Sequence, residues 1–369
     1  MSEEITIIIP SHNRHHVLNR AIEYYAKLNF LVLIVDSSKE SLNIKLPKNI
    51  KYIYLPGSFF SNKIHYGLEM ASTPFACLCA DDDFLSESGL HVGKEFLQKN
   101  LDFVSVQGNY IQFNPSNPIE LYSALYKKMN DYNNDSELTE TRVMNAFEIP
   151  HIFALHRINA LKSALNISFD IPLVTVVERS IALVTMCYGK HKVLPVFWSA
   201  RDVIRYSNYN DEEGGTYKNN NLTQEADNKL NIVIKNWKDF LNTNYGKKLK
   251  KNYIKEVFDL IDDSIDIGEL FDHANFQLQD SVSTPLLTKI KKILKDLLPL
   301  SIVKKIQSNN INKEKSRLSN LPGYPWSDSV AMHDWKIITQ VIENNKDCLL
   351  YTSDAADDLL CVDLGGRRI

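Results

Sequence analysis

The chain has 369 residues, 44% hydrophobic and 24% charged, enough for one large core or two and too apolar for a largely disordered protein. Its 42 Lys and Arg against 45 Asp and Glu leave a formal charge of -3, too balanced for a protein that coats nucleic acid, so no nucleic-acid partner is expected. Five cysteines with no pair of CxxC motifs imply neither a disulfide framework nor a zinc module and fit a reducing compartment.

In chain order, Ile5 to Ile9 is an unbroken β-branched run ended by Pro10, the pattern of a strand buried on both faces. Ser11 to Arg14 is a polar turn, after which Val17, Leu18, Ala21, Ile22 and Tyr25 recur at helical spacing. Phe30 to Val35 is a second buried strand, ended by Asp36, Ser37 and Ser38, and Tyr52 to Leu55 a short third. Ser58 to Ala71 reads as a helix with Ser61 as its candidate cap. Phe75 to Ala80 is a fourth strand running into Asp81, Asp82 and Asp83, and Ser105 to Phe113 a further one. Residues 114–140 read as a long polar loop, Thr141 to Leu165 and Val174 to Tyr188 as helical, and Lys192 to Trp198 as a strand. Beyond about residue 210 the pattern changes to charged amphipathic helices.

Strands alternating with helices predict an α/β fold with a mostly parallel sheet, whose ligands bind at the carboxyl ends of the strands. Three polar clusters fall at such ends: Pro10 to Arg14, Asp36 to Ser38, and Asp81 to Asp83. Three adjacent carboxylates repel one another and need a cation or full solvation. Oxygen donors select magnesium or manganese, which complete their shells with water and substrate phosphates.

These segments, ITIIIPSHNR, LIVDSS and CLCADDDFL, resemble the landmarks of family 2 glycosyltransferases of the GT-A fold, in a bacterial surface-polysaccharide branch whose acidic motif reads ADDDF. The resemblance covers residues 5–113 well and extends loosely to about 205. It implies a sugar transfer from a nucleotide-diphosphate donor to a hydroxyl on a glycan or lipid-linked glycan, with inversion and with Mn2+ or Mg2+. Asp36 would accept from the nucleoside base, Asp82 would hold the ribose and Asp83 would ligate the metal. Pro10, Ser11 and Asn13 would line the nucleotide-sugar site. The family's usual DxDD has Ala80 at its first position here, which leaves Asp81 with a donor-binding place but no assigned role. Arg14 and Lys63 are candidates to neutralise phosphate oxygens. An inverting transfer needs a general base, for which Glu178, among apolar residues on a helix, is the candidate and Asp170 its rival. His12, His15 and His16 suggest a metal site only weakly against ordinary turn histidines, and Arg201 and Asp202 either face the site or, as the blander reading, form an ion pair.

The implied organisation is a GT-A domain over residues 1–210, divided into a nucleotide-sugar half (1–113) and an acceptor half (114–210), then a helical extension over 211–347. Within that extension, Ile290, Ile293, Leu294, Leu297 and Leu298 make one apolar face beside six lysines in 288–307. This basic segment either lies on an anionic membrane surface or packs on the domain. Residues 348–369 resemble frame-shifted translation of sequencing-adapter DNA and are set apart from the fold, the natural C-terminus being expected to differ. With two acids near Met1 and no run of about eighteen apolar residues, a cytoplasmic enzyme is expected, peripheral at the inner face of the membrane if the basic segment lies on it. Two alternatives remain: a nucleotidyltransferase that makes nucleotide sugars, although PSHNRHHVLNR lacks the glycines of its phosphate loop, and a non-catalytic relative that binds nucleotide sugar or membrane.

Overall fold

The computed structural model describes residues 4–115, 119–122, 133–146, 151–171, 174–202, 224–245, 309, 312–313, 315–319 and 321–345. Strands β1 (Ile5–Ser11), β2 (Leu31–Asp36), β3 (Ile50–Tyr54), β4 (Phe75–Leu78), β5 (Phe84–Leu85), β6 (Phe103–Asn114), β7 (Glu120–Tyr122), β8 (Leu155–Arg157) and β9 (Lys190–Asp202) form one sheet. Its order is β3-β2-β1-β4-β8-β6-β9-β5, with β7 beside β6. The expected parallel character holds for β3-β2-β1-β4 and for β6 with β9. Strands β8, β5 and β7 pair antiparallel, so the sheet is mixed.

Helices α1 (His15–Tyr25), α2 (Phe60–Met70), α3 (Glu87–Lys99), α4 (Thr139–Ala146), α5 (Ile158–Ile167), α6 (Val174–Tyr188), α7 (Gln224–Tyr245) and α8 (Ser329–Asn344) accompany it. The unbroken apolar runs of the central strands are explained by burial on both sides. Ile5, Ile7 and Ile9 point into a core with α1, α3 and α8, whereas Ile8 points into a second core with α2, α5, α6 and α7. Cys77 and Cys79 share the first of these faces as small apolar packing, their thiols pushed up by burial.

Three local expectations fail for physical reasons. Ser61 does not cap α2: the cap position is Phe59, with no side-chain hydrogen bond, and the Ser61 hydroxyl instead binds the Ile171 carbonyl and amide at 2.8 and 2.9 Å. The helical reading of 141–165 merges α4 and α5, between which β8 inserts to join β4 to β6. The loop read over 114–140 carries β7 and an Asn134 bridge to His191. The basic segment 288–307 and residues 348–369 lie outside the described residues.

Parallel register aligns the strand ends that carry the polar clusters. Ser11 is paired with Asp36, and Cys79 donates to the Ile8 carbonyl at 3.0 Å, so β4 hands its chain to Asp81–Asp83 at the same edge. Helix α8 lies against α1 and α3 from the first core, with Trp335, Ile338, Val341 and Ile342 buried there.

Candidate functional site

The turn after β1 is built by polar groups reaching across to β2. Asn13 adopts a left-handed backbone (φ 50°), its amide donates to Ser38 Oγ at 2.7 Å and its Oδ1 accepts from the Lys39 amide at 3.0 Å. His12 donates through Nδ1 to the Ser37 carbonyl at 3.0 Å, and its Nε2 accepts from Asn13 at 2.9 Å. This turn aims Arg14 at the acidic segment, where the guanidinium pairs with Asp81 and, at 3.2 Å, with Asp82. Ser11 Oγ donates to the other Asp81 oxygen at 2.7 Å.

Asp36 is buried and accepts four hydrogen bonds: His15 Nε2 and Tyr52 Oη, each at 2.7 Å, the Ser38 amide at 2.9 Å and Ser38 Oγ at 2.5 Å. Burial alone would raise its pKa, but the donors from His15, Ser38 and Tyr52 outweigh it and hold the carboxyl at about 2. Any further donor to Asp36 must displace one of them. Lys63 lies just behind this edge, buried, with Nζ donating to the Ser11 carbonyl (2.8 Å) and Ser37 Oγ (2.9 Å). Burial lowers its pKa to about 8, opposed by Asp81 and Asp36. Its charge therefore reaches the edge as a field from beneath, by way of the strand ends it ties together.

Asp83 is buried where β4 turns toward β5. Its Oδ2 accepts from Arg201 Nε at 2.7 Å and its Oδ1 from the Asp202 amide at 2.9 Å. Burial nevertheless pushes its carboxyl up to about 7, against the pull of Arg201 and with Asp82 adding to the rise. Asp81 is also raised, by burial first, with Arg14 opposing. Arg201 and Asp202 pair with other elements and not with each other: Asp202 accepts from Arg20 NH2 at 2.8 Å. Arg201 also stacks its guanidinium 4.2 Å from the Phe153 ring centroid.

Glu178 lies on α6. Its carboxyl is raised by burial, with Arg201 and Arg179 opposing, so Arg201 stands between Asp83 and Glu178 electrostatically. Asp170 also has a left-handed backbone (φ 59°), but its amide and carboxylate are engaged by Asn62 at 2.8 and 3.1 Å. Of the predicted residues, then, Ser11, Asn13, Arg14, Asp36, Lys63, Asp81, Asp82 and Asp83 share one edge, Glu178 is linked to it by the charge of Arg201, and Asp170 is tied to α2. Pro10 pairs with Val35 in the β1–β2 register.

Helix α1 supplies residues that the sequence reading passed over. Arg20 NH2 donates to the Asp82 carbonyl at 2.9 Å as well as to Asp202, Tyr24 Oη donates to the Leu85 carbonyl at 2.7 Å, and the Leu85 amide donates to Tyr25 Oη at 3.0 Å. One helix thus clamps the acidic turn from Asp81 to Leu85. A signal was present: Arg20 sits on the apolar stripe of α1 with Val17, Ala21 and Tyr24, where a cation is stable only with a buried partner.

Among the described residues no cluster of three or more His, Cys, Asp or Glu is disposed to hold a metal on protein ligands alone. The histidines of the turn are not such a cluster, since His12 bonds Ser37 and His15 bonds Asp36. What the edge offers is a pair of carboxylates, hard oxygen donors fit for a cation whose shell is completed by phosphate and water.

Residues 6–158 match the family model described as glycosyl transferase family 2. Among curated proteins, none matches the chain. Among solved structures, residues 1–349 of TarS from S. aureus align with a TM-score of 0.50 at 14% identity, over 93% of this chain and 91% of that one. The same fragment with UDP-GlcNAc aligns with a TM-score of 0.49 at 13% identity, over 94% and 92% of the two chains. At such identities the first of these establishes a shared GT-A fold.

Proposed function

We propose that this chain, whose residues 6–158 match the glycosyl transferase family 2 model, transfers a sugar from a nucleotide-diphosphate donor to a hydroxyl of a glycan or lipid-linked glycan in surface-polysaccharide synthesis. The observation that carries this reading is the convergence of Asp36, Arg14 and Asp81–Asp83 on the carboxyl edge of β1, β2 and β4. That is where an open α/β sheet binds nucleotides.

Each residue then has a task. Asp36, Tyr52 and His15 form the wall that meets the nucleoside, and Arg14 faces the phosphates once Asp82 turns toward the donor. Asp83, with Asp82, would hold Mn2+ or Mg2+. The cation would supply positive charge for the diphosphate as it leaves. Glu178 accepts the proton of the acceptor hydroxyl while that oxygen bonds the anomeric carbon and the carbon–diphosphate bond breaks. A single displacement of this kind inverts the anomeric configuration. Arg201, between Asp83 and Glu178, keeps the two carboxylates from repelling each other.

The test is release of nucleoside diphosphate from a panel of nucleotide sugars with manganese, UDP-GlcNAc among them, with and without glycan acceptors. Turnover of one donor that stops on chelation is the expected result. A protein that binds no nucleotide and turns over no donor would overturn the reading.

Among the described residues no helix is long and apolar enough to cross a membrane. For residues 288–307 we propose salt-sensitive sedimentation with anionic vesicles, lost when Lys291, Lys292 and Lys295 become Glu. Vesicle binding that survives either change would argue against it.

A further inference from the structure

Helix α8 is separated from the acidic turn by most of the chain, yet it bonds the residues that follow it. Asp334, 4% exposed, accepts three hydrogen bonds on Oδ2: from Ser86 Oγ at 2.5 Å, the Ser88 amide at 3.0 Å and Ser88 Oγ at 2.7 Å. Ser86 is the cap of α3, its Oγ accepting from the Gly89 amide at 3.0 Å, and its own amide donates to the Trp198 carbonyl at 2.7 Å. A carboxylate here also meets the positive end of the α3 dipole.

The segment held by Asp334 has little freedom elsewhere. Phe84 and Leu85 pair with Ala200 and Ser199, next to the Arg201 and Asp202 that bind Asp83. Gly89 lies so close to β9 that a Cβ would stand 2.2 Å from the Phe197 carbonyl oxygen. The strap that brings Asp334 there is anchored at both ends. Gly323 (φ 76°) packs where a Cβ would meet the Pro195 backbone at 2.3 Å, and Asn109 donates to the Pro322 carbonyl at 2.9 Å. At the far end, Asn344 and Asn345 donate to Glu23 of α1 at 3.2 and 2.8 Å. Helix α8 therefore bridges α1 and α3, the two helices that leave the two motif turns.

We infer that Asp334 is a positioning residue for sugar transfer: by fixing Ser86 and Ser88 it sets where Asp82 and Asp83 stand relative to the donor. This rests on the transferase reading above. It acts through the backbone from Phe84 to Ser88 and touches no substrate.

The test uses the full chain with Asp334→Ala and Asp334→Asn, the second retaining an acceptor oxygen. Three quantities are read: kcat against donor KM, amide hydrogen exchange by segment, and the thermal midpoint. Asp334→Ala should lower kcat by roughly ten- to a hundredfold, the scale of a small misplacement of catalytic groups. It should also speed exchange at residues 83–90 while leaving β1 and β2 at the wild-type rate, and Asp334→Asn should recover much of both. Wild-type kcat in a folded Asp334→Ala protein would overturn the inference, as would exchange that rises uniformly across the sheet. If the wild-type protein turns over no donor, the transferase reading fails by itself. Exchange then decides alone: acceleration confined to 83–90 upholds the strap, and an unchanged pattern overturns it.

Discussion

Asp36 and Asp83 are both buried at one sheet edge, and the number of donors each meets drives their carboxyls in opposite directions. Four donors take Asp36 to about 2, whereas Asp83, with one guanidinium and one amide against its burial, rises to about 7. The signs for stability follow. Asp36 has a folded pKa below its ordinary value, so it stabilises the fold above about pH 4 and loses that contribution as pH falls toward 2. Asp83 is raised, so the native state favours its protonated form and its ionisation opposes folding as pH climbs from about 4 past 7. Asp83→Asn should therefore abolish donor turnover yet raise the thermal midpoint at pH 8, with no comparable gain at pH 4; calorimetry at the two pH values checks it, and an unstable Asn variant at pH 8 would refute the argument. Asp36→Ala should weaken nucleotide binding by about 1–3 kcal/mol, the cost of a lost buried hydrogen bond and its orphaned partners. Titration with free nucleoside diphosphate measures that. Glu178→Gln should cut kcat by about 10²–10⁴, as loss of a general base does, with donor affinity unchanged. Should Asp170→Asn show that pattern instead, the two roles exchange.

Helix α1 does more for the site than its motif suggests. The strand ends and the amphipathic face of α1 were legible because periods of two and 3.6 are local properties of Ile5–Ile9 and of Val17, Leu18 and Ala21. The partner of Arg20 was not, because Asp202 lies 182 residues further on and no local pattern marks the pairing. Strand β8 was hidden likewise: three residues, Leu155–Arg157, are too few to show alternation, and their pairing with β4 and β6 is entirely long-range. The Arg20–Asp202 pair has side chains 1% and 0% exposed. Arg20→Met should then destabilise by about 3–5 kcal/mol, because Asp202 loses its buried guanidinium partner while its side chain stays out of water. Arg20→Met with Asp202→Asn should recover part of that loss in denaturant unfolding. Equal stability of the single and double variants would mean that the pair is not coupled as its geometry indicates.

At the scale of the whole molecule, acid should unfold the protein through the region around β8 and the start of β9 before β1 and β2. His151, His156 and His191 stack there with ring centroids 5.6 Å (His151–His156) and 4.6 Å (His151–His191) apart, all fully buried. They bond Thr185, the His151 carbonyl and Ser105, while His156 Nδ1 and His191 Nε2 have no hydrogen-bond partner among the described residues. Burial lowers His156 to about 3 and His191 well below its ordinary value, with the neighbouring histidines adding to the effect. Folded pKa values below the unfolded one mean stability that is complete above about pH 6.5 and lost as pH falls toward 3. His156→Gln should flatten that dependence, and an unchanged acid midpoint would show that the cluster does not govern it. The strap through Asp334 has a consequence in time. Its contact with Ser86 spans 248 residues of chain. At about 5–20 residues per second, synthesis takes roughly 12 to 50 seconds to cross that span, during which the sheet can fold around an acidic turn still unpinned. By this geometry the sheet can form before the acidic turn is pinned, and the face of the first core that Trp335, Ile338, Val341 and Ile342 cover stays open until α8 has been made.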